Sequence, residues 1–162
     1  MAENEIRHLQ ALRGEPRIVG LKQVIQTNNT VYLITELCEK GSLHDLIKRE
    51  GRLPEEQAVS ILRQIVEAGE AMFRNGIVHM DLKTTNILIN ADDEVRVCDF
   101  GMAATERECE QSLEQNIGSP LFMAPETLIN NEYSHKSVIW AIGVVFIEML
   151  TGKLPWKAKT ER

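Results

Sequence analysis

Residues 79–86 read His-Met-Asp-Leu-Lys-Thr-Thr-Asn, and this stretch decides the fold. It is followed by the apolar triplet Ile87-Leu88-Ile89, so we expect it to be a polar loop that leads into a strand. Two further motifs follow in order: Asp99-Phe100-Gly101, directly after an apolar stretch that ends at Cys98, and Ala124-Pro125-Glu126. Each motif alone is a weak signal, because short strings recur by chance. Their order and spacing together are a strong one.

Helical and extended patterns surround these motifs. Amphipathic or apolar periodicity predicts helices over residues 2–13, 43–49, 54–75 and 138–150. Two extended runs, residues 18–25 and 30–35, flank Asn28-Asn29 and predict a hairpin. The polar, weakly patterned residues 103–115 predict a mobile loop. Helices outnumber strands, and the strands come as hairpins, so the sequence predicts an α+β fold.

Composition excludes several classes of protein. The chain has 162 residues and a net charge of −6, which argues against a nucleic-acid groove or a polybasic membrane anchor. Its longest apolar run, residues 138–147, is about half the length that a membrane span needs. The acidic start lacks the features of a secretory signal, and three cysteines at no metal-ligand spacing suit reduced thiols. We therefore expect a cytoplasmic domain without a membrane span. The sequence leaves its oligomeric state open.

The three motifs resemble those of the eukaryotic protein kinase family. The resemblance implies a protein-kinase-like α+β fold, with a partial small lobe made of a helix and a β-hairpin, and most of a helical large lobe. Residues 1–38 would be the remnant of the small lobe and the hinge, and residues 39–162 an incomplete large lobe, so that 1–162 is a partial kinase domain truncated at both ends. The Asp-Leu-Lys form and Gly118-Ser119-Pro120 are similar to the serine/threonine branch. Within it, residues 118–126 and 36–43 resemble autophagy-initiating-type kinases, most of all those of protists.

Catalytic roles follow from this resemblance, in which residues 79–86 are the catalytic loop. Asp81 would accept the proton of a protein Ser/Thr hydroxyl, and Lys83 would stabilise the phosphoryl group in transfer from ATP. Asn86 and Asp99 would hold Mg²⁺, which prefers hard oxygen ligands. Ser119 would lie in the substrate-binding loop and bond to Asp81 and Lys83. In the same reading Gly101 would let the backbone turn sharply after Asp99.

The resemblance also assigns a nucleotide site. Thr35 would be the gatekeeper, and the backbone carbonyl of Glu36 and amide of Cys38 would bind the adenine of ATP. Leu88 would form the apolar floor below the adenine, and Cys98 would line the back of the site. Glu5 would be the helix glutamate that pairs with the ATP-positioning lysine.

Several features differ from the family pattern. The 162 residues contain no glycine-rich phosphate loop and no strand lysine before Glu5, and no later large-lobe helices. We therefore expect the chain alone to transfer no measurable phosphate. Met80 replaces the arginine that receives an activation-loop phosphate, so a phosphate on Thr105 or Ser112 is expected to find little to bind. Val138 replaces an aspartate that binds catalytic-loop amides, and an unpaired buried donor costs about 1–3 kcal/mol.

The leading hypothesis is a serine/threonine protein kinase catalytic core that depends on ATP and Mg²⁺ and acts on a protein. The first alternative is a pseudokinase or truncated kinase paralogue that acts as a binding scaffold. The second is an unrelated α+β domain that carries the motifs by chance.

Overall fold

The computed structural model describes residues 2–110 and 117–156. The helices of these residues are α1 (Ala2–Ala11), α2 (Leu43–Glu50), α3 (Glu55–Arg74), α4 (Glu106–Glu110), α5 (Pro125–Asn130) and α6 (His135–Thr151). The strands are β1 (Leu21–Gln26), β2 (Val31–Thr35), β3 (Ile77–Val78), β4 (Ile87–Ile89), β5 (Val95–Val97) and β6 (Ala104–Thr105). Single 3-10 turns lie at Thr84–Asn86 and Pro120–Phe122. The predicted α+β class is confirmed.

The strands form three small antiparallel sheets, each of two strands. β1 pairs with β2, as the hairpin pattern predicts, and β4 pairs with β5 across the turn at residues 90–94. β3 pairs with the distant β6. This last pairing brings the segment after Asp99 back to the strand that precedes the catalytic loop. The sheets therefore bring the two polar motifs to one place.

α2 begins where the sequence predicts it to begin. The Ser42 hydroxyl accepts a hydrogen bond from the Asp45 amide at 3.1 Å, and the Asp45 carboxylate accepts one from the Ser42 amide at 3.1 Å. Such a reciprocal capping box satisfies two backbone donors that a helix start leaves open. The capping carboxylate bonds to Ser42, which lowers the pKa of Asp45.

Part of the core lies between α3 and α6, which pack against each other. Gly69 of α3 allows close approach, because a Cβ at this position would lie 3.4 Å from Cδ1 of Ile142 on α6. Residues 138–150 are apolar nearly all round, which predicts a buried helix, and the structure leaves one face of it uncovered, since Ile139 is 67% exposed. Apolar residues on every face cannot all be covered by the single layer that α3 and the catalytic loop supply.

The ends of α2 and α6 meet at a pair of glycines. Gly152 ends α6 with φ +69°, and a Cβ there would collide with the Gly51 carbonyl oxygen. The Leu53 amide also donates to the Met149 carbonyl at 2.8 Å. Only glycine combines left-handed backbone with this close approach, so Gly152 fixes how α6 lies against the segment that follows α2.

The predicted mobile loop at residues 103–115 is wrong over its first half. Residues 104–110 form β6 and α4, and Thr105 caps α4 because its hydroxyl accepts a hydrogen bond from the Glu108 amide at 3.3 Å. A two-residue strand and a five-residue helix are too short to leave a periodic signal, which is why the sequence pattern misses them. Residues 111–115, including Ser112, lie outside the described residues.

None of the described helices combines the length and the apolar character that a membrane crossing requires.

Candidate active site

The loop between β3 and β4 is anchored by His79, which is fully buried. Its Nε2 lies 3.0 Å from the Cys98 carbonyl, and its Nδ1 lies 3.3 Å from the Asp81 amide nitrogen. Because an amide N–H can only donate and a carbonyl can only accept, these two partners select the neutral tautomer with the proton on Nε2. The ring also contacts Phe100, with ring centroids 4.8 Å apart. His79 therefore joins the catalytic loop to the Asp-Phe-Gly motif.

Asp81 and Lys83 lie together in this loop. Lys83 Nζ donates to Asp81 Oδ2 at 2.7 Å and to Ser119 Oγ at 2.9 Å. Asp81 is only 6% exposed, and its Oδ1 accepts no hydrogen bond from the described residues. A buried carboxylate oxygen without a donor is costly unless a ligand supplies one. The arrangement leaves one buried oxygen of Asp81 without a hydrogen-bond donor among the described residues.

Asn86 is held with its amide oxygen free of strong protein contacts. Its Nδ2 donates to the Asp81 carbonyl at 2.9 Å, so the amide nitrogen faces the loop. Among the described residues, its Oδ1 meets only the Thr85 hydroxyl, at 3.5 Å. The Cys98 amide donates to the Asn86 carbonyl at 2.9 Å and places the start of the Asp-Phe-Gly motif beside this residue.

Asp99 adopts left-handed backbone with φ 64°. This corrects the expectation that Gly101 provides the turn, since Gly101 is not among the residues with positive φ. A non-glycine residue in this region costs about 1–2 kcal/mol, and such strain persists only where the surroundings impose it. Here the buried Phe100 side chain and the Cys98 backbone fix both neighbours, so the turn falls on Asp99 and leaves its carboxylate exposed.

The residues present suit a hard divalent cation. Asn86 Oδ1 and the exposed Asp99 carboxylate are oxygen ligands of the type that Mg²⁺ binds. The hydrogen bond from the Cys98 amide to the Asn86 carbonyl keeps the segments that carry Asn86 and Asp99 adjacent. Two protein oxygens are a typical number for Mg²⁺, which keeps waters and phosphate oxygens in its remaining positions.

The substrate-loop residue Ser119 approaches the catalytic loop through its neighbour Gly118. Gly118 has φ +111°, and a Cβ there would collide with the Met80 carbonyl oxygen. Glycine alone tolerates both conditions. Upstream, the Tyr133 hydroxyl donates to the Ile117 carbonyl at 2.7 Å. Because Tyr133 lies between α5 and α6, this bond ties the substrate segment to the connection of these two helices. The structure thus brings Ser119 into contact with Lys83, which also bonds to Asp81, whereas the expected hydrogen bond from Ser119 to Asp81 is not observed among the described residues.

The predicted hinge residues follow β2. The Thr35 hydroxyl donates to the Glu36 carbonyl at 3.3 Å, and the Glu36 carboxylate accepts hydrogen bonds from the Gly20 amide at 2.7 Å and Arg96 Nε at 3.1 Å. Cys38 is half-buried, and burial raises the pKa of its thiol. Burial also raises the pKa of the Cys98 thiol to about 12, with a contribution from Asp99, so Cys98 is protonated at neutral pH.

Leu88 lies on β4, half-buried, opposite Arg96 of β5 and in a bridge with Ser42. The neighbouring Ile89 amide donates to the Gly41 carbonyl at 2.9 Å. β4 therefore runs beside the segment that leaves the hinge, and the role of Leu88 as the floor of a nucleotide site stays a prediction.

Glu5 lies on α1 and is half-buried. Burial raises the pKa of Glu5, and the Asp99 carboxylate raises it further. The two carboxylates are thus electrostatic neighbours. No hydrogen bond from the described residues to the Glu5 carboxylate is observed, so its proposed lysine partner is not supplied by this part of the chain.

Sequence reasoning misses one polar contact to the catalytic loop. Glu148 of α6 is buried and accepts a hydrogen bond from the Thr84 hydroxyl at 3.1 Å, with His44 Nδ1 of α2 3.9 Å from its other oxygen. Burial raises the pKa of Glu148. The signal for this residue is a lone glutamate in an otherwise apolar helix, which identifies a buried acid but not its partner.

Met80 and Val138, which both depart from the family pattern, line one cavity of about 20 Å³. Both side chains are buried. A cavity of this size is just large enough for one water molecule. The structure therefore places the two apolar replacements at a single junction.

Two buried histidines make stability depend on pH. Burial lowers the pKa of both His8 and His79 below the ordinary value of 6.5. The unfolded chain therefore binds more protons near pH 6 than the folded chain does, and the free energy of unfolding falls as pH falls from about 7.5 to 5.5, by up to about 1.4 kcal/mol per pH unit and group. Urea denaturation at several pH values measures this slope.

His79→Gln is expected to reduce this slope, because it removes one of the two buried imidazole rings. A stability that stays constant or rises as pH falls from 7.5 to 5.5 contradicts the prediction.

Comparisons with known proteins agree with this geometry. A family model described as the protein kinase domain matches residues 1–162. The chain is 39% identical to sperm motility kinase 2B of Mus musculus over 151 residues, which are 93% of this chain and 31% of that protein. It is 34% identical to serine/threonine-protein kinase 33 of Bos taurus over an alignment of 171 residues, which covers 99% of this chain and 35% of that protein. It is 37% identical to the human hormonally up-regulated neu tumor-associated kinase over 150 residues, which are 91% of this chain and 21% of that protein.

The chain spans about a third or less of the length of these relatives. The family match nevertheless covers all of its residues, including those that the fold assembles around Asp81. This chain belongs to the protein kinase family, on its serine/threonine branch.

Proposed function

We propose that this chain carries the phosphoryl-transfer site of a serine/threonine protein kinase, which moves the γ-phosphoryl group of ATP to a Ser or Thr hydroxyl of a protein. The observation that carries the proposal is the cluster in which Lys83 bonds to both Asp81 and Ser119, while one buried oxygen of Asp81 has no donor among the described residues. A hydroxyl donor at that oxygen would complete the hydrogen bonding of Asp81. The same contact is the one a general base needs.

Each residue has a role that its surroundings support. Asp81 accepts the hydroxyl proton as the acceptor oxygen attacks phosphorus. Lys83 lies between Asp81 and the substrate loop, where its positive charge offsets the negative charge that builds up on the transferring phosphoryl group. The Ser119 hydroxyl accepts a hydrogen bond from Lys83, and this contact holds the substrate loop against the catalytic loop.

Asn86 and Asp99 would hold Mg²⁺ with their side-chain oxygens. When bound, Mg²⁺ neutralises phosphate charge and orients the nucleotide. The adenine would lie at the hinge, against the Glu36 carbonyl and the Cys38 amide, with Thr35 at the rear and Leu88 below. Glu5 remains a candidate for pairing with a lysine outside these residues. A cytoplasmic location, where ATP and reduced thiols occur together, belongs to the same proposal.

We also propose the division at residue 38. Residues 1–38 comprise α1, the β1–β2 hairpin and the hinge, and residues 39–162 contain the catalytic loop and the large helices. The Val19 amide donates to the Val97 carbonyl at 2.9 Å, and the Val97 amide donates to the Arg17 carbonyl at 2.8 Å. These contacts support a small lobe that is attached to the large lobe through β5 as well as the hinge.

Nucleotide binding by the purified chain tests the proposal. We expect ADP to bind at least tenfold more tightly with excess Mg²⁺ than with EDTA, a difference of about 1.4 kcal/mol. Asp99→Asn should remove most of this difference, because the amide has lost the charge that attracts the cation. Isothermal titration calorimetry gives both affinities.

Asp92→Asn is the control, since Asp92 is exposed in the turn between β4 and β5. It should bind as the parent chain does. An ADP affinity that is the same in Mg²⁺ and EDTA, or an Asp99→Asn chain that keeps the full difference, would count against the proposed metal site.

A further inference from the structure

α1 makes a direct contact with the backbone that follows Asp99. Asn4 Nδ2 donates to the Ala103 carbonyl at 2.8 Å and to the Gly101 carbonyl at 3.1 Å. The residues that meet are 99 and 97 positions apart in the sequence. A single side-chain amide thus uses both of its N–H groups to hold two carbonyls, both within four residues of Asp99.

The orientation of the Asn4 amide is fixed from its other side. Arg7 Nη2 donates to Asn4 Oδ1 at 2.7 Å. Because a guanidinium has no acceptor, the amide oxygen must face Arg7 and the NH₂ group must face the two carbonyls. The contact is therefore a pair of hydrogen bonds in one defined direction.

Arg7 is itself held by the segment after β6. Its Nη1 donates to Glu108 Oε1 at 2.7 Å and its Nη2 lies 3.3 Å from Glu108 Oε2. Glu108 Oε2 also accepts hydrogen bonds from the Thr105 amide at 2.7 Å and the Thr105 hydroxyl at 2.9 Å. The resulting network of Asn4, Arg7, Glu108 and Thr105 ties one face of α1 to the chain that follows the Asp-Phe-Gly motif.

The backbone at Asp99 requires support on both sides. Its left-handed φ of 64° is unfavourable for a non-glycine residue. On the upstream side the Cys98 amide bonds to the Asn86 carbonyl, and on the downstream side the Ala103 amide bonds to the Phe100 carbonyl at 3.1 Å. Asn4 adds the two downstream contacts that come from a separate element, which local turn geometry cannot replace.

We propose that Asn4 is a positioning residue for the metal site: by holding the Gly101 and Ala103 carbonyls, it keeps the Asp99 carboxylate beside Asn86 in the orientation that binds Mg²⁺. This inference rests on the proposed function, because it takes Asp99 as the metal ligand. Loss of the two hydrogen bonds lets the backbone at Asp99 relax. The hinge lies on another element and keeps its contacts, so only the metal-dependent part of nucleotide binding weakens.

Asn4→Asp tests the inference, because it keeps the side-chain shape and replaces the two N–H donors with an oxygen that repels both carbonyls. The ADP affinity is measured by calorimetry in excess Mg²⁺ and in EDTA. We expect the ratio of the two affinities to fall at least fivefold, with the affinity in EDTA unchanged within twofold. Asn4→Ala, which removes the donors without adding charge, should reduce the ratio in the same direction.

Gln10→Ala, on an exposed position of the same helix, is the control and should retain the parent ratio. If both Asn4 variants keep the parent ratio, or if the affinities in Mg²⁺ and EDTA fall equally, the positioning role is overturned while the metal site stands. If the parent chain itself shows no Mg²⁺ dependence, the proposed function and this inference fall together.

Discussion

Asp81→Asn is expected to reduce phosphoryl transfer by about a hundredfold to ten-thousandfold, the range that a positioned general base contributes. The substitution keeps the size and shape of the side chain, and its amide oxygen can still accept a bond from Lys83. The amide cannot take up the hydroxyl proton, however. Transfer of labelled phosphate to a generic basic protein, measured in the natural protein that contains residues 1–162, gives the loss.

Asp92→Asn serves as the matched control and should leave the transfer rate unchanged. ADP binding in Mg²⁺ should change less than twofold in Asp81→Asn, because Asn86 and Asp99 keep their side chains. A transfer rate that falls by less than fivefold would exclude Asp81 as the base. A parent protein that binds Mg²⁺ and ADP but transfers no phosphate would favour the alternative of a binding scaffold.

Phe100→Ala is expected to lower the free energy of unfolding by about 3–5 kcal/mol, the cost of removing a buried phenyl ring. Phe100 has no exposed surface, and its ring lies against His79. The alanine variant leaves a cavity between the catalytic loop and the segment after β5, and the rigid backbone on either side limits its collapse. Urea denaturation, with the slope compared as well as the midpoint, measures the loss.

Phe73→Ala provides the same chemical change at the surface. Phe73 is 64% exposed, so we expect a cost below about 1 kcal/mol. If the two variants lose similar stability, Phe100 is not the core residue that the structure describes. If Phe100→Ala does not fold, Phe100→Leu should still be folded and be destabilised less than the alanine variant.

The long helices could be predicted because their signals are local and repeated. The apolar stripe of residues 54–75 spans almost six turns, and the structure has α3 at Glu55–Arg74. The Ser42 cap likewise depends on residues three positions apart. β6 and α4 could not be predicted, because a two-residue strand is formed by its partner β3 and not by its own pattern.

The contacts of the candidate site can also be separated into those that follow from neighbouring residues and those that depend on distant segments. Asp81, Lys83 and Asn86 lie within six residues, and the closed loop that holds them follows from their own hydrogen bonds. The convergence of Ser119 on Lys83 depends on Gly118 passing close to the Met80 carbonyl. The family resemblance predicts this contact, whereas no local spacing rule connects residues 36 positions apart.

The sequence by itself determined the family, the α+β class and the identity of the polar residues, because motif order and periodicity are properties of neighbouring positions. Only the tertiary structure decided that Asp99, not Gly101, takes the left-handed turn, and that Asn4 reaches the carbonyls that follow it. It also placed Met80 and Val138 around one cavity. These contacts join residues tens of positions apart, and their existence depends on how α1, α6 and the small sheets pack. Packing is set by the sum of many buried surfaces, so no single stretch of sequence encodes it.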